Sequence, residues 1–311
     1  MGFSYAEWED ISVIVPAYNS ENTILRALHS IAKQTVKVRE VIIVDDGSTD
    51  NTLNIVNKEA TLEGWVLPIH VFQQKNTGPA AARNHAIKHA KGEYLAFLDA
   101  DDEWHPTKVA RSIEEMKKHK CTLIAHDLIH QYKMGRKYYI ESSLNYEKER
   151  VGCHARLFLN NYINTSTVLV RKDAVVEAGG FDQTSLHDVG YDLWQSILSN
   201  PKNTFYVFKS ALVTYHITNH SLSSNILQRL RQHERFIVRH ATHAAKGTFL
   251  PFPLLVISKT YNFNMGISGR AIKSNMFGGY FITIIRMPYS ILKTLLLSIV
   301  MPRFKRINYL K

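Results

Sequence analysis

Three carboxylates crowd the end of an apolar run in "GEYLAFLDADDEW", residues 92–104: Asp99, Asp101 and Asp102. Like charges gathered at a strand end repel one another and lose hydration, so the arrangement is costly unless something positive sits among them. In an extended Asp-x-Asp, alternate residues face one cleft, and here these are Asp99 and Asp101. Such a pair suits a hard cation. Mg2+ or Mn2+ takes one or two carboxylates and completes its shell with water and substrate phosphate. Solvated turn residues would explain the same tripeptide. Asp102 is further placed to cap a helix beginning in "PTKVARSIEEM".

The segments that must hold these groups alternate regularly. "ISVIVPAY" reads as a strand, and "SENTILRALHSIAKQT" as a helix with Ser20 at its N-cap and Ile24, Leu28 and Ile31 on one face. "EVIIVDDGSTD" repeats the design, with a strand over Val41–Val44, an acidic turn and a helix from about Thr49. "LPIHVFQQ", the Ala-rich "GPAAARNHAIKHAKG" and "EYLAFLDADD" follow as strand, helix and strand. This order predicts an α/β fold whose mostly parallel, Rossmann-like sheet is flanked by helices and binds ligands beyond its carboxyl edge. The middle is less regular. "TLIAHDLIHQYKMGRKYYI" suggests two strands around Met134 and Gly135, and "TSTVLVRKDAVVEAGGFD" a strand, a helix and a Gly-Gly stop. "GYDLWQSILSN" is a short amphipathic helix, "NTFYVF" and "ALVTYH" are strands, and from about Ser221 the pattern turns helical and basic.

"SVIVPAYNSENTI", "EVIIVDDGSTDNT" and "NTGPAAARNHAIKHAKGEYLAFLDADD" occur in that order. Together they closely resemble the family 2 glycosyltransferases of bacterial cell-surface polysaccharide synthesis, strongly over Ile11 to Trp104 and more weakly to about Ser224. The resemblance implies a GT-A fold and metal-dependent, inverting transfer from a nucleotide-diphospho-sugar to a saccharide or lipid-linked acceptor. It divides residues 1–224 into a nucleotide-sugar half, 1–104, and an acceptor half, 105–224, and leaves 225–311 as a basic helical extension. It also implies roles. Pro16, Ala17 and Tyr18 would line the nucleotide pocket. Asp46, or less readily Asp45, would accept from the base imide beside the turn at Gly47 and Ser48. Arg83 would hold the nucleotide or its diphosphate. Asp99 would face ribose and metal, Asp101 would ligate Mn2+ or Mg2+, and Ala100 lies between them.

Two departures follow. Family members supply the general base from a Glu-Asp pair of the form EDxDLW, whereas this chain reads "SLHDVGYDLWQSIL", with Val189 and Gly190 in those places. Asp188 stands in if "HD" shifts by two residues; Asp192, four residues on and on the same helical face, is the other candidate. A helix cap and a solvated carboxylate would account for the same two residues. Before "SLS" the family often carries a His near the diphosphate. Here the match falls on Thr218, between His216 and His220. Trp104 suits an acceptor-sugar platform or a loop anchor. A glycosyltransferase-like protein that binds nucleotide-sugar or scaffolds without catalysis is the alternative reading, supported by the missing Glu-Asp.

Charge divides the chain. Residues 226–311 carry fourteen Lys and Arg against one acid, Glu234, a net +13, which leaves the first 225 residues at −2. No helix-turn-helix, RRM or zinc-finger pattern accompanies the basic region, which argues against nucleic acid. In "GGYFITIIRMPYSILKTLLLSIVMPRFKRINYLK" Arg286 and Lys293 interrupt the apolar run, and a spanning helix needs about 20 nearly uninterrupted apolar residues. A helix with one polar stripe followed by Arg303, Lys305 and Arg306 suits the plane of an anionic membrane instead. The same helix could pack on the catalytic domain or on a second copy, making a homo-oligomer. Two cysteines outside any CxxC pair, and an N-terminus with no basic-then-apolar leader, predict reduced thiols and a cytoplasmic protein peripheral to the inner membrane face.

Overall fold

β-Branched residues dominate the first two strands, β1 (Trp8–Ala17) and β2 (Lys37–Asp45), and every side chain of Val13, Ile14, Val15 and Val41–Val44 is fully buried. Strands apolar on both faces belong inside a helix-covered parallel sheet. The computed structural model describes residues 8–61, 67–132, 137–140, 157–184, 189–217, 226–246, 252–261, 288, 290–292 and 295. Its first half alternates as expected: α1 (Ile24–Ala32), α2 (Thr52–Ala60), β3 (Ile69–Gln73), α3 (Pro79–His89) and β4 (Tyr94–Phe97). β4, β1, β2 and β3 lie side by side, all parallel. Ala17 pairs with Asp45 and Ile14 with Phe97, so the motifs that follow β1, β2 and β4 leave the sheet at one edge. α1 turns Ile24, Ala27, Leu28 and Ile31 into the core; burying each large aliphatic contributes about 1.5–3 kcal/mol. Ser20 does not cap α1. Its carbonyl closes the preceding turn by accepting from Thr23 and Ile24 N–H, and its hydroxyl donates to Tyr18 O.

Beyond β4 the chain builds a second sheet. β5 (Glu103–Trp104) leads to α4 (Lys108–His119), and the stretch expected to form two strands forms three: β6 (Leu123–His126), β7 (Leu128–Tyr132) and β8 (Lys137–Ile140). Met134 and Gly135 lie outside the described residues. β6 joins the main sheet and β7 the second, so one residue, Asp127, separates strands of different sheets. A 3-10 turn at Thr165–Thr167, β9 (Leu169–Arg171), α5 (Lys172–Glu177), α6 (Val189–Leu198), β10 (Phe205–Phe208) and β11 (Val213–Ile217) follow. β9 lies antiparallel between β4 and β6, the exception in an otherwise parallel order β10-β6-β9-β4-β1-β2-β3. The second sheet runs β5-β11-β7-β8.

Two compact units result: Met1–Lys148 with Ile163–Asn219, and Glu149–Tyr162 with His220–Lys311. The second contains α7 (Ile226–Lys246), helical residues 252–261 and a short earlier piece in which Phe158 stacks on Phe236 at 5.7 Å. Membership of residues 149–162 in that unit has no local signature. No helix among the described residues is long and apolar enough to cross a membrane. The basic stretch from 296 onward lies outside them, as do most of residues 262–295.

Gly92 sits where β4 approaches β1. A Cβ there would stand 2.6 Å from Ser12 N and 2.9 Å from Asp10 O, both backbone atoms with no room to yield. Gly92→Ala is therefore expected to cost about 2 kcal/mol and lower Tm by about 5 °C in a calorimetric scan. An unchanged Tm would mean that the two strands are not held this closely.

Candidate active site

The loops after β1 and β2 are tied to each other. Asn19 adopts φ 46°, its N–H donates to Ser48 Oγ (2.9 Å), and its Oδ1 accepts from Thr49 N (2.8 Å). Pro16 is half-buried, Ala17 is buried, and Tyr18, outside the core, is 49% exposed at this edge. Gly47 needs its φ of 73°, and a Cβ there would meet Asn76 N at 2.9 Å. Asp45 and Asp46 are both buried. Asp46 Oδ1 accepts from Thr77 N (3.0 Å) and Gln74 Nε2 (2.8 Å), and Oδ2 from Gly78 N (2.8 Å), so the carboxylate ties down residues 74–78. Three of its four acceptor positions are used, leaving one on Oδ2. Asp45 Oδ2 accepts from Ser48 N (3.3 Å), while its buried Oδ1 has no partner.

The β4 loop gathers the three acids around protein cations and a hydroxyl. Arg83, delivered from α3, is buried and ion-paired with Asp99, its guanidinium 5.4 Å from the Phe181 ring. Arg26, from α1, donates to the Asp101 carbonyl at 2.6 Å. Ser166, held in the 3-10 turn by Asn164 Oδ1, accepts from Asp99 N (3.2 Å) and donates to Asp102 Oδ2 (2.5 Å). Ala100 is buried between the two outer acids. Burial first, and Asp99 second, push the Asp101 carboxyl up to about 6. Asp102 is raised well above the ordinary carboxylate value by burial and then by both neighbours, and its Oδ1 is buried without a partner. Asp102 is thus not a helix cap; it lies fully buried beneath the loop, and Thr107 stands ahead of α4.

Trp104 is likewise corrected. It is 2% exposed, its indole N–H donates to Ser166 O (3.0 Å), and the Lys108 ammonium lies 4.1 Å from its ring centroid. With no open face it cannot stack a sugar. It anchors the acidic loop instead. Lys108, fully buried, is pushed down to about 7 by that burial.

Residues distant in sequence complete the edge. Tyr215 of β11 is raised to about 12 by burial and then by Asp102, Asp101 and Asp99, so a protonated phenol lies in the field of all three acids. His216 Nε2 stands 3.7 Å from Glu103 Oε2, beside the loop, not on a free surface. On α6, Asp192 lies half-buried in the first turn. A Cβ at Gly190 would meet the side-chain atoms Thr165 Oγ1 at 2.5 Å and Trp194 Nε1 at 3.2 Å, so a side chain there requires Thr165 to move. Asp188 and His220 lie outside the described residues. Ser166, Tyr215, Arg26 and Gln74 carried no sequence signal, because nothing local marks a Ser or Tyr that a distant turn or strand will deliver.

Among the described residues no three His, Cys, Asp or Glu side chains converge as a protein-only metal cage. The acids nonetheless fit a Mg2+ or Mn2+ ion of the kind that takes few protein ligands and completes its shell with phosphate. Asp99 and Asp101 lie near two arginines, one of which spends its bond on a carbonyl, and Asp101 resists ionisation without a further positive charge.

Residues 12–179 match the family described as Glycosyl transferase family 2. The chain is 30% identical over 220 residues to the putative teichuronic acid biosynthesis glycosyltransferase TuaG of Bacillus subtilis (strain 168), covering 69% of this chain and 82% of that protein. It is 29% identical over 227 residues to WfgD of Escherichia coli, named as a UDP-Glc:alpha-D-GlcNAc-diphosphoundecaprenol beta-1,3-glucosyltransferase, covering 71% and 83%. Its fold is similar to that of S. aureus TarS 1–349 in complex with UDP-GlcNAc, with a TM-score of 0.65 at 22% identity over 90% of this chain and 81% of that one. A mixed sheet of this order, acidic turns at the ends of β2 and β4, and a family match across more than half the residues lead to one conclusion: the chain is an enzyme of glycosyltransferase family 2, with the GT-A fold.

Proposed function

We propose that the enzyme transfers a sugar, with inversion, from a UDP-sugar to a lipid-linked saccharide during cell-surface glycan synthesis, using a divalent ion. The observation that carries this reading is the meeting of the β2 acidic turn, the β4 acids and Arg83 at one sheet edge. UDP as the nucleotide draws support from the TarS complex and from WfgD's name, and the lipid-linked acceptor from WfgD's name alone. Attachment to the inner membrane face follows from such an acceptor and from the basic last third.

In this reading Tyr18 and the Pro16–Ala17 backbone border the nucleotide, and Asp46 Oδ2 or Asp45 Oδ1 accepts from the base imide. Asp101 and Asp99 would hold Mn2+ or Mg2+, which when bound supplies Lewis-acid neutralisation of the diphosphate leaving group. Arg83 pairs with Asp99 and aligns it, beside the nucleotide diphosphate it would help hold, and Ser166 fixes the loop. Asp188 or Asp192 accepts the proton from the acceptor hydroxyl on the face opposite the leaving group. A noncatalytic nucleotide-sugar-binding protein is the second reading, favoured by Gly190 standing where the family carries a carboxylate.

Thermal shift with UDP, GDP and their sugars tests the donor site, because a ligand bound only by the folded state raises Tm. The sign of its pH dependence follows from Asp101. Its folded value, about 6, exceeds the ordinary 3.8, so ionising this group costs the metal-free fold stability as pH rises through that interval. A divalent ion offsets that cost above pH 6 and competes with a proton below it. Mn2+ with UDP is expected to raise Tm clearly at pH 7.5 and far less at pH 5. Equal stabilisation by UDP in chelator at both pH values would remove the ion from the site.

A further inference from the structure

Residues 252–261 form a helix with apolar residues on both its inner and outer sides and its one charge turned inward. Leu255, Val256, Lys259 and Thr260 are buried, whereas Pro253, Leu254, Ile257, Ser258 and Tyr261 make up its outer side. The one charged side chain therefore points inward. Lys259 Nζ donates to Leu159 O at 3.0 Å and lies 5.4 Å from the Phe236 ring centroid and 6.0 Å from that of Phe158. Outside, Leu254 is 52% and Tyr261 48% exposed, two turns apart on one face. A helix facing water keeps its outer side polar and its charge outward. A lysine normally lets its ammonium reach water, and burying it is costly even when hydrogen-bonded.

The sorting becomes favourable where the outer surroundings are apolar. Ten residues rise about 15 Å, half the bilayer's hydrocarbon thickness of about 30 Å, so the helix can lie in a membrane boundary but not cross it. Tyrosine suits that boundary, with its ring among acyl chains and its hydroxyl at the headgroups. Charge complementarity names the lipid. The region from 226 onward holds fourteen Lys and Arg against Glu234, and Arg235 and Lys246 are exposed on α7. We infer that the outer face of residues 252–261, carrying Leu254, Ile257 and Tyr261, is a docking surface for an anionic bilayer. It enters the acyl boundary while basic residues of the same region meet the headgroups. This rests on the membrane attachment proposed above and gives it a surface.

Flotation of the full chain with phosphatidylglycerol-containing vesicles, against phosphatidylcholine alone, tests it. Leu254→Glu with Tyr261→Glu changes two exposed positions, and an unchanged Tm and UDP thermal shift would show that both fold and donor site survive. The wild type is expected to float with the anionic vesicles, and the double variant's bound fraction to fall about tenfold. If both float equally, the surface is wrong and membrane attachment stands on other residues. If the wild type stays in solution with either vesicle, attachment and surface fall together. Sedimentation showing a wild-type dimer that the variant abolishes, without flotation, would make the face a contact between copies and overturn the lipid assignment.

Discussion

Asp101→Asn is expected to lower kcat/KM for sugar transfer by about three orders of magnitude and, under the proposed metal dependence, to abolish stimulation by Mn2+. The substitution is nearly isosteric, and the Arg26 anchor of this loop is the residue's backbone carbonyl, which Asn keeps. What disappears is the negative charge that, in the proposed reading, holds the ion against the diphosphate. That loss is felt as negative charge grows on the leaving group, so it falls on kcat as well as on donor affinity. Tm in the absence of metal should not fall, because Asp101 is a carboxyl whose ionisation the fold disfavours, and Asn carries no charge to bury. Initial rates across a Mn2+ titration check this. A variant that still responds to Mn2+ as the wild type does would show that the Asp-x-Asp is structural.

Substitution of the general base has the second largest expected effect. Either Asp188→Asn or Asp192→Asn is expected to lower kcat by about a thousandfold, with the UDP thermal shift unchanged, because the base acts on the acceptor side. Gly190 shows why restoring the family's carboxylate by one change carries a structural cost. A side chain there would displace Thr165, which adjoins the Ser166 bridge between Asp99 and Asp102. Gly190→Asp is therefore expected to disturb the Ser166 bridge as it adds a carboxylate. Asp192 has the advantage of a fixed place in the first turn of α6. Single-turnover transfer and donor hydrolysis by both variants decide between them. Wild-type turnover with neither variant affected would remove this segment from catalysis; no turnover of any UDP- or GDP-sugar by the wild type would favour the noncatalytic reading.

Much of the nucleotide half was legible before any coordinates. Apolar periodicity is a local property, so the alternation from β1 to β4 followed from side-chain spacing, and a parallel sheet brings the ends of β1, β2 and β4 to one edge. That put the acidic ends of β2 and β4 at one sheet edge, while the roles of Asp45, Asp46, Asp99 and Asp101 there came from the family resemblance. The glycines were legible only in part. Gly47 follows an acidic pair in a turn, whereas the need for glycine at Gly92 and Gly190 depends on what strand or turn lies across from it.

Tertiary structure decided what distance in sequence hides. Ser166 reaches Asp102 across 64 residues and the Asp99 amide across 67, and no pattern near Ser166 announces it. Trp104 looked equally suited to stacking a sugar or anchoring a loop until Lys108 and Ser166 covered it. β6 and β7 read as one continuous apolar stretch, yet they part into two sheets because each finds a different neighbour, β10 and β9 for one, β11 and β8 for the other. Periodicity along a chain determines which face a side chain takes. Which partner that face meets is decided by packing against segments far away, since pairing energy depends on the neighbour and not on the spacing alone.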